Sequence, residues 1–253
     1  MRAPLIAGNW KMTASLAAAA ALGAEVAQEA RAPAGVELAV IPPHPALVVV
    51  RDAIAGTSIA LGAQDAHWER DGAFTGAVSP EMLSELGCRY VLCGHSERRR
   101  IFCESDEEVG RKVAAVVATG LCPILCVGET LEERKAGEGD EVVLRQLGAG
   151  LAGARASTPV VAYEPVWAIG TGLAAEPDEV ARVHAMIRRV LGSLVDSSGA
   201  AQCRVLYGGS VTPENAGALL GAGSSDEIDG VLVGGASRQA SSFLAIAAAA
   251  IRG

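Results

Sequence analysis

The sequence "AYEPVWAIGTG" (Ala162–Gly172) places a carboxylate, Glu164, at the end of an apolar run, before a proline and a tract with two glycines. Pro165 disfavours α geometry in the residue before it, and Gly170 and Gly172 allow close backbone approaches, so a fixed acid beside a movable lid is the reading. Elsewhere stand His95 in "GHSERR", Asn9 and Lys11 in "AGNWKM", and the glycine pairs Gly208-Gly209 and Gly234-Gly235. Glu164 is a candidate base, His95 a candidate acid or electrophile and Lys11 a fixed positive charge. Proton transfer next to a carbonyl needs this set: a base for the carbon-bound proton, and donors for the enediolate oxygen. Phosphate is the anion that suits the glycines, because with Ala236-Ser237 opening a short helix the main chain can approach phosphate oxygens at a helix N-terminus. Singly, each residue has a duller reading: His95 as a structural hydrogen-bonder, Lys11 as a solvated charge, Asn9 as a turn residue. Their joint placement outweighs those readings, and that placement depends on the elements between them.

Short apolar runs recur at Leu5–Ala7, Leu38–Ile41, Ile59–Ala63, Tyr90–Cys93, Pro123–Val127, Pro159–Tyr163, Val205–Tyr207 and Val231–Val233. Their length, β-branching and flanking turn residues predict buried strands. Between them, "SLAAAAALGAEVAQEA", "SDEEVGRKVAAVVA" and "PDEVARVHAMIRRVLGSLV" have helical periodicity, and Ser105, Pro177 and Thr212-Pro213 are helix-start signals. Strand then helix, repeated without a linker, implies parallel strands with right-handed crossovers, and eight such units close into a (β/α)8 barrel. The runner-up, an open doubly wound sheet, lacks a G-x-G-x-x-G after its first strand. In a closed barrel the strand C-termini carry the chemistry. Asn9-Trp10-Lys11, Gly94-His95-Ser96-Glu97, Glu164, Gly208-Gly209-Ser210 and Gly234-Gly235 all fall there.

The chain has 253 residues, half of them hydrophobic, which fits one barrel domain over 1–253. A net charge of -8 argues against nucleic acid as partner. No run of about 18 apolar residues suggests a membrane span, and "MRAPLIAGNWKM" is short of a signal peptide, so the expectation is a soluble cytoplasmic protein. Cysteines at 88, 93, 103, 122, 126 and 203 show neither CxxC nor disulfide spacing and read as buried thiols, and no metal site is expected. The run Arg98–Arg100 reads as helix surface and ion pairing, Ala17–Ala21 as ordinary helix, and His44, His67 and His184 receive no role.

With these residues assembled, the sequence resembles the triosephosphate isomerase family along nearly its whole length. The matching segments, in family order, are "AGNWKM", "GAQD", "GAFTG", "LCGHSERR", "ESDEEVGRKV", "CVGE", "AYEPVWAIGTG", "LYGGSV" and "GVLVGGAS". The resemblance implies a single (β/α)8 TIM barrel, with eight parallel strands ringed by helices. It also implies cofactor-independent interconversion of dihydroxyacetone phosphate and D-glyceraldehyde 3-phosphate. By resemblance Glu164 is the base and His95 a neutral electrophile at a helix start, a pairing for which this family is the standing example. Lys11 faces the substrate, Asn9 neighbours it, and Glu97 supports the lysine. Gly170, Ser210, Gly234 and Gly235 match phosphate-binding positions. Ala168–Gly172 matches the lid, a gating loop for which the family is again the example, and Tyr207 and Ser210 match its latch.

The resemblance also implies a homodimer, with Thr75 at the tip of the long Gln64–Val78 connection reaching into the partner to support its Asn9 and Lys11. The length of that connection points the same way, since long loops without secondary structure are usually functional or disordered. Departures from the family pattern are Leu173 at the lid hinge for the usual Lys, Ala77 for an interface Glu, Arg238 for a Leu, and Thr13-Ala14. Two other readings compete: another phosphosugar enzyme on a phosphate-binding barrel, or an inactive barrel kept as a binding scaffold.

Overall fold

The computed structural model describes residues 2–12, 15–30, 35–154, 158–169, 175–221 and 227–250. Eight parallel strands close in sequence order: β1 Leu5–Asn9, β2 Glu37–Ile41, β3 Ala60–Ala63, β4 Tyr90–Cys93, β5 Cys122–Val127, β6 Val160–Tyr163, β7 Arg204–Tyr207 and β8 Gly230–Val233. Pairing of Leu5 with Gly230 through Gly8 with Val233 joins last strand to first. This is the (β/α)8 TIM barrel expected from the strand–helix alternation.

The strands read as unbroken apolar runs because both faces are buried. Alternate residues such as Leu5, Ile41, Leu92, Ile124 and Leu206 fill the barrel interior, and Ile6, Val40, Val91, Leu125 and Val205 pack outward against the helices. Each large apolar side chain so buried contributes roughly 1.5–3 kcal/mol, which makes the interior a packed core rather than a pore. Around it run α1 Leu16–Glu29, α2 Leu47–Ala53, α3 Pro80–Glu85, α4 Ser96–Ile101, α5 Asp106–Ala118, α6 Leu131–Lys135, α7 Gly139–Leu151, α8 Pro177–Leu194, α9 Ser197–Gln202, α10 Pro213–Leu220 and α11 Ala240–Ala248. Ser105 and Glu108 form a reciprocal capping box at α5, so the start signal read from the sequence has its physical cause.

Several strands begin one residue earlier than their apolar runs, at Glu37, Cys122, Arg204 and Gly230. At Glu37 and Arg204 the reason is a polar floor: the Tyr90 hydroxyl donates to Glu37 Oε1 at 2.6 Å, and Arg204 donates to Glu37 Oε2 at 2.7 Å and to the Tyr90 hydroxyl at 2.6 Å. β1 runs two residues longer than expected, because Gly8 and Asn9 continue the ladder with Val40 and Ile41.

The six cysteines are free, but Cys103 is exposed and Cys122 half-buried, so buried thiols describes only the other four. Among the described residues no helix is long and apolar enough to cross a membrane.

The histidines without a role in the sequence have partners here. His44 Nε2 lies 2.9 Å from the Asp65 carbonyl, and His67 stacks on Trp68 and meets Phe74. His184 is wholly buried on α8, edge-on to Tyr163, with Nδ1 3.3 Å from the Glu227 carbonyl oxygen. Burial pushes its imidazole down to about 3. An unfolded histidine titrates near 6.5, so below that pH only the unfolded chain takes up this proton. The stability is therefore complete above about 6.5 and is lost progressively as pH falls toward 3. Between pH 7 and pH 5 we expect His184 to account for about 2 kcal/mol of lost stability. Urea unfolding at the two pH values, in wild type and His184→Gln, should show a smaller acid loss in the variant. Equal losses would contradict the buried neutral imidazole.

Candidate active site

At the C-terminal ends of the strands, Asn9, Lys11, His95, Glu164, Ile169, Gly208–Thr212 and Gly234–Ala236 surround a cavity of about 250 Å³. The barrel brings these residues together because each directly ends a strand or opens the loop after it.

Glu164 follows β6 and is 1% exposed. Its main-chain N–H donates to the Val127 carbonyl at 2.7 Å, and its Oε2 accepts the Ser96 N–H at 2.9 Å. Its Oε1 has no hydrogen-bond partner among the described residues and lies 3.2 Å from His95 Nε2. One carboxylate oxygen is thus held by a helix start, and the other keeps its lone pairs facing the cavity.

His95 caps α4, accepting the Glu97 N–H on Nδ1 at 3.2 Å. A nitrogen that accepts carries no proton, so in the neutral ring the proton sits on Nε2, the atom nearer Glu164. The ring therefore presents a donor toward the cavity.

Lys11 has φ of 51°, a left-handed conformation uncommon outside glycine. Its N–H donates to Asn9 Oδ1 at 3.0 Å, and its carbonyl accepts from Gln64 Nε2 at 2.8 Å, the same amide reaching the Ile41 carbonyl at 3.0 Å. The ammonium lies 2.6 Å from Glu97 Oε1. Burial acts to raise the Glu97 carboxyl, but the Lys11 hydrogen bond and the basic side chains around it together outweigh burial and hold it below the usual carboxylate range.

Gly235–Arg238 forms a one-turn helix after β8, capped at Gly234, so its first N–H groups open beside the cavity. Ser237 is fully buried beneath that turn and donates from Oγ to the Gly234 carbonyl at 2.7 Å. Arg238 is exposed at the end of the turn, which is how it is tolerated in place of an apolar residue. Ser210 lines the cavity, its carbonyl accepting from Asn215 Nδ2 at 3.1 Å. Tyr207 is buried, and its hydroxyl accepts the Ala175 N–H at 3.4 Å. Thr75 is exposed on its own loop and does not line this cavity. Gly170, Gly172, Leu173 and Thr13-Ala14 lie outside the described residues, as does the lid beyond Ile169.

Sequence reasoning assigns no role to two residues here. Gln64 holds the strained Lys11, as just described. Glu129 Oε1 accepts from Trp167 Nε1 at 2.9 Å and from the Tyr163 hydroxyl at 3.2 Å, anchoring the turn that follows Glu164. Both lie in matching segments, "GAQD" and "CVGE", but their partners are far away in the chain. Among the described residues no group of three metal-ligating side chains is assembled.

A family model described as triosephosphate isomerase matches residues 4–250. A triosephosphate isomerase from Roseiflexus sp. (strain RS-1) is 50% identical over 252 residues, 97% of each chain. One from Carboxydothermus hydrogenoformans is 49% identical over 249 residues, covering 97% of this chain and 98% of the relative. One from Azoarcus sp. (strain BH72) is 50% identical over 253 residues, covering 99% of this chain and all of the relative.

Proposed function

The chain belongs to the triosephosphate isomerase family and interconverts dihydroxyacetone phosphate and D-glyceraldehyde 3-phosphate, and from that premise we propose which residues carry the reaction and in what assembly. Glu164 Oε1 takes the carbon-bound proton beside the substrate carbonyl and returns it to the neighbouring carbon. The placement of that buried oxygen, on a residue lining the cavity and 3.2 Å from His95 Nε2, is the observation that carries this reading. His95 Nε2–H and the Lys11 ammonium stabilise the enediolate oxygens between the two steps, and Asn9 fixes Lys11 through its backbone N–H. Gly234, Gly235, Ser210 and Gly170 receive the phosphate. Glu97 holds the lysine ammonium, and Tyr207 and Ser210 latch the lid. Electrons stay within the substrate: one proton passes between the carbons by way of Glu164, and a second passes between the two oxygens by way of His95 Nε2.

The working unit in this reading is a cytoplasmic homodimer. Met12 is 91% exposed and Phe102 63%, and Phe74, Met82 and Ile101 are also exposed. Met12 follows Lys11, which Gln64 ties to the base of the long loop, and Phe102 shares a cavity with the Ala66–Trp68 and Gly76–Val78 segments. A second copy of this face would cover these apolar side chains. Thr75 of one protomer would then support Asn9 and Lys11 of the other.

The test is isomerisation of D-glyceraldehyde 3-phosphate by purified protein, with EDTA and no added cofactor, across a dilution series followed by light scattering. Specific activity should fall as the mass halves. Full activity in a persistent monomer would overturn the dimer requirement, and no turnover at any concentration would overturn the assigned site.

A further inference from the structure

The main-chain register of β4 and β5 ends at Cys93 and Leu125. The next residues are Gly94, which leads into His95, and Cys126, which leads into Val127, whose carbonyl accepts the Glu164 N–H at 2.7 Å. One side chain spans that gap. Arg99 donates from Nε to the Gly94 carbonyl at 2.8 Å and from Nη2 to the Cys126 carbonyl at 3.3 Å, and its Nη1 binds Asp106 Oδ1 at 2.5 Å.

We propose that Arg99 is a positioning residue for the isomerisation, its guanidinium standing in for the missing rung of the ladder and setting the spacing between His95 and Glu164. The proposal rests on the roles assigned above to those two residues.

The surroundings fit a fixed strut rather than a surface charge. The Arg99 side chain is only 15% exposed. Gly94 has φ of +71°, and a Cβ there would come within 2.9 Å of Arg99 Nη2 and 2.8 Å of Val109, so the guanidinium packs directly against this backbone. Arg99 also sits on α4, whose first N–H holds Glu164 Oε2. A shift of Arg99 would therefore reach the pair by two routes, through the strand ends and through the helix.

A planar fork can meet two carbonyls and a carboxylate at once, which a lysine ammonium on a flexible stem does less well. The neighbouring arginines make different contacts, since Arg98 pairs with Asp65 and Glu104, and Arg100 is exposed. The expectation of helix surface and ion pairing for Arg98–Arg100 thus needs correcting at Arg99, whose partners include two carbonyls of the catalytic strands.

Three variants separate positioning from stability: Arg99→Gln, Arg99→Lys and Asp106→Asn, each measured for Tm, kcat and KM per folded site. Asp106→Asn removes the charge partner and leaves both carbonyl bonds, so it should lower Tm with kcat within about twofold of wild type. Arg99→Gln should lower kcat by about 10- to 100-fold with KM within about twofold, as expected for misplaced reacting groups. Arg99→Lys should fall between, and it serves as the test if Arg99→Gln does not fold. A kcat per folded site in the Arg99 variants equal to that of wild type or Asp106→Asn would overturn the proposal. Glu164→Gln run alongside keeps the two readings apart. If it is fully active, the assignment of the base fails; if it is inactive while Arg99→Gln turns over normally, only the role of Arg99 fails.

Discussion

Glu164→Gln is expected to lower kcat by roughly 100- to 10,000-fold while leaving KM, Tm and the affinity for inorganic phosphate nearly unchanged. The exchange keeps shape and volume, and an amide oxygen can still accept the Ser96 N–H that holds Oε2 at 2.9 Å. What it removes is the basicity of Oε1, the oxygen 3.2 Å from His95 Nε2. Phosphate should bind as before because the one-turn helix at Gly235–Arg238 does not depend on the charge of Glu164. Steady-state kinetics in both directions, with phosphate as a competitive inhibitor, separate these effects. A fall in phosphate affinity that matched the fall in kcat would mean that the variant had disturbed the whole site. Full activity would remove Glu164 from the chemistry.

The barrel is legible in the sequence because parallel strands buried on both faces leave short, dense apolar runs, and the run Tyr90–Cys93 coincides with its strand to the residue. The strand starts are not, since Glu37 and Arg204 are polar for the sake of a hydrogen-bonded floor that a hydrophobicity pattern does not contain. The residues placed at strand ends converge on one cavity because strand termini in a closed barrel must. Supporting residues are harder to see. Gln64 and Glu129 act on groups that folding brings near, and nothing local in "GAQD" or "CVGE" marks the carbonyl or indole that each one meets.

Arg99 shows the same limit more sharply. In the sequence it is the middle of three like charges on a short helix, and its neighbours Arg98 and Arg100 have the same composition around them. Only the folded chain separates the one that meets Gly94 and Cys126 from the one that meets Asp65 and from the one left exposed. His184 is the converse case, a polar residue that helical spacing puts on one face of α8 with Val180, Ile187 and Leu191, all of them buried.

Gly128→Ala should damage both stability and turnover more than its single added methyl suggests. A Cβ at this position would stand 1.7 Å from the Glu164 carbonyl oxygen and 2.6 Å from its carbonyl carbon. Neither atom belongs to a flexible side chain, so β5 and β6 would have to separate where Glu164 is mounted. Gly128 cannot easily move away: its N–H donates to Gln146 Oε1 at 2.7 Å, and its carbonyl accepts from Gln146 Nε2 at 3.2 Å. On either side, Glu164 N–H is bound to the Val127 carbonyl at 2.7 Å and Val166 N–H to the Glu129 carbonyl at 3.0 Å. The new methyl must break at least one of these bonds. We expect a loss of roughly 3 kcal/mol in urea unfolding, at the upper end of ordinary overpacking. A base displaced by about 1 Å should also cost about 100-fold in kcat. Gly148→Ala is the matched control, because a Cβ there meets nothing within 4 Å and the residue lies inside α7. That exchange should stabilise the helix by up to about 1 kcal/mol and leave kcat unchanged. If the two variants behaved alike, the close approach of Gly128 to the backbone of Glu164 would not be what seats the base.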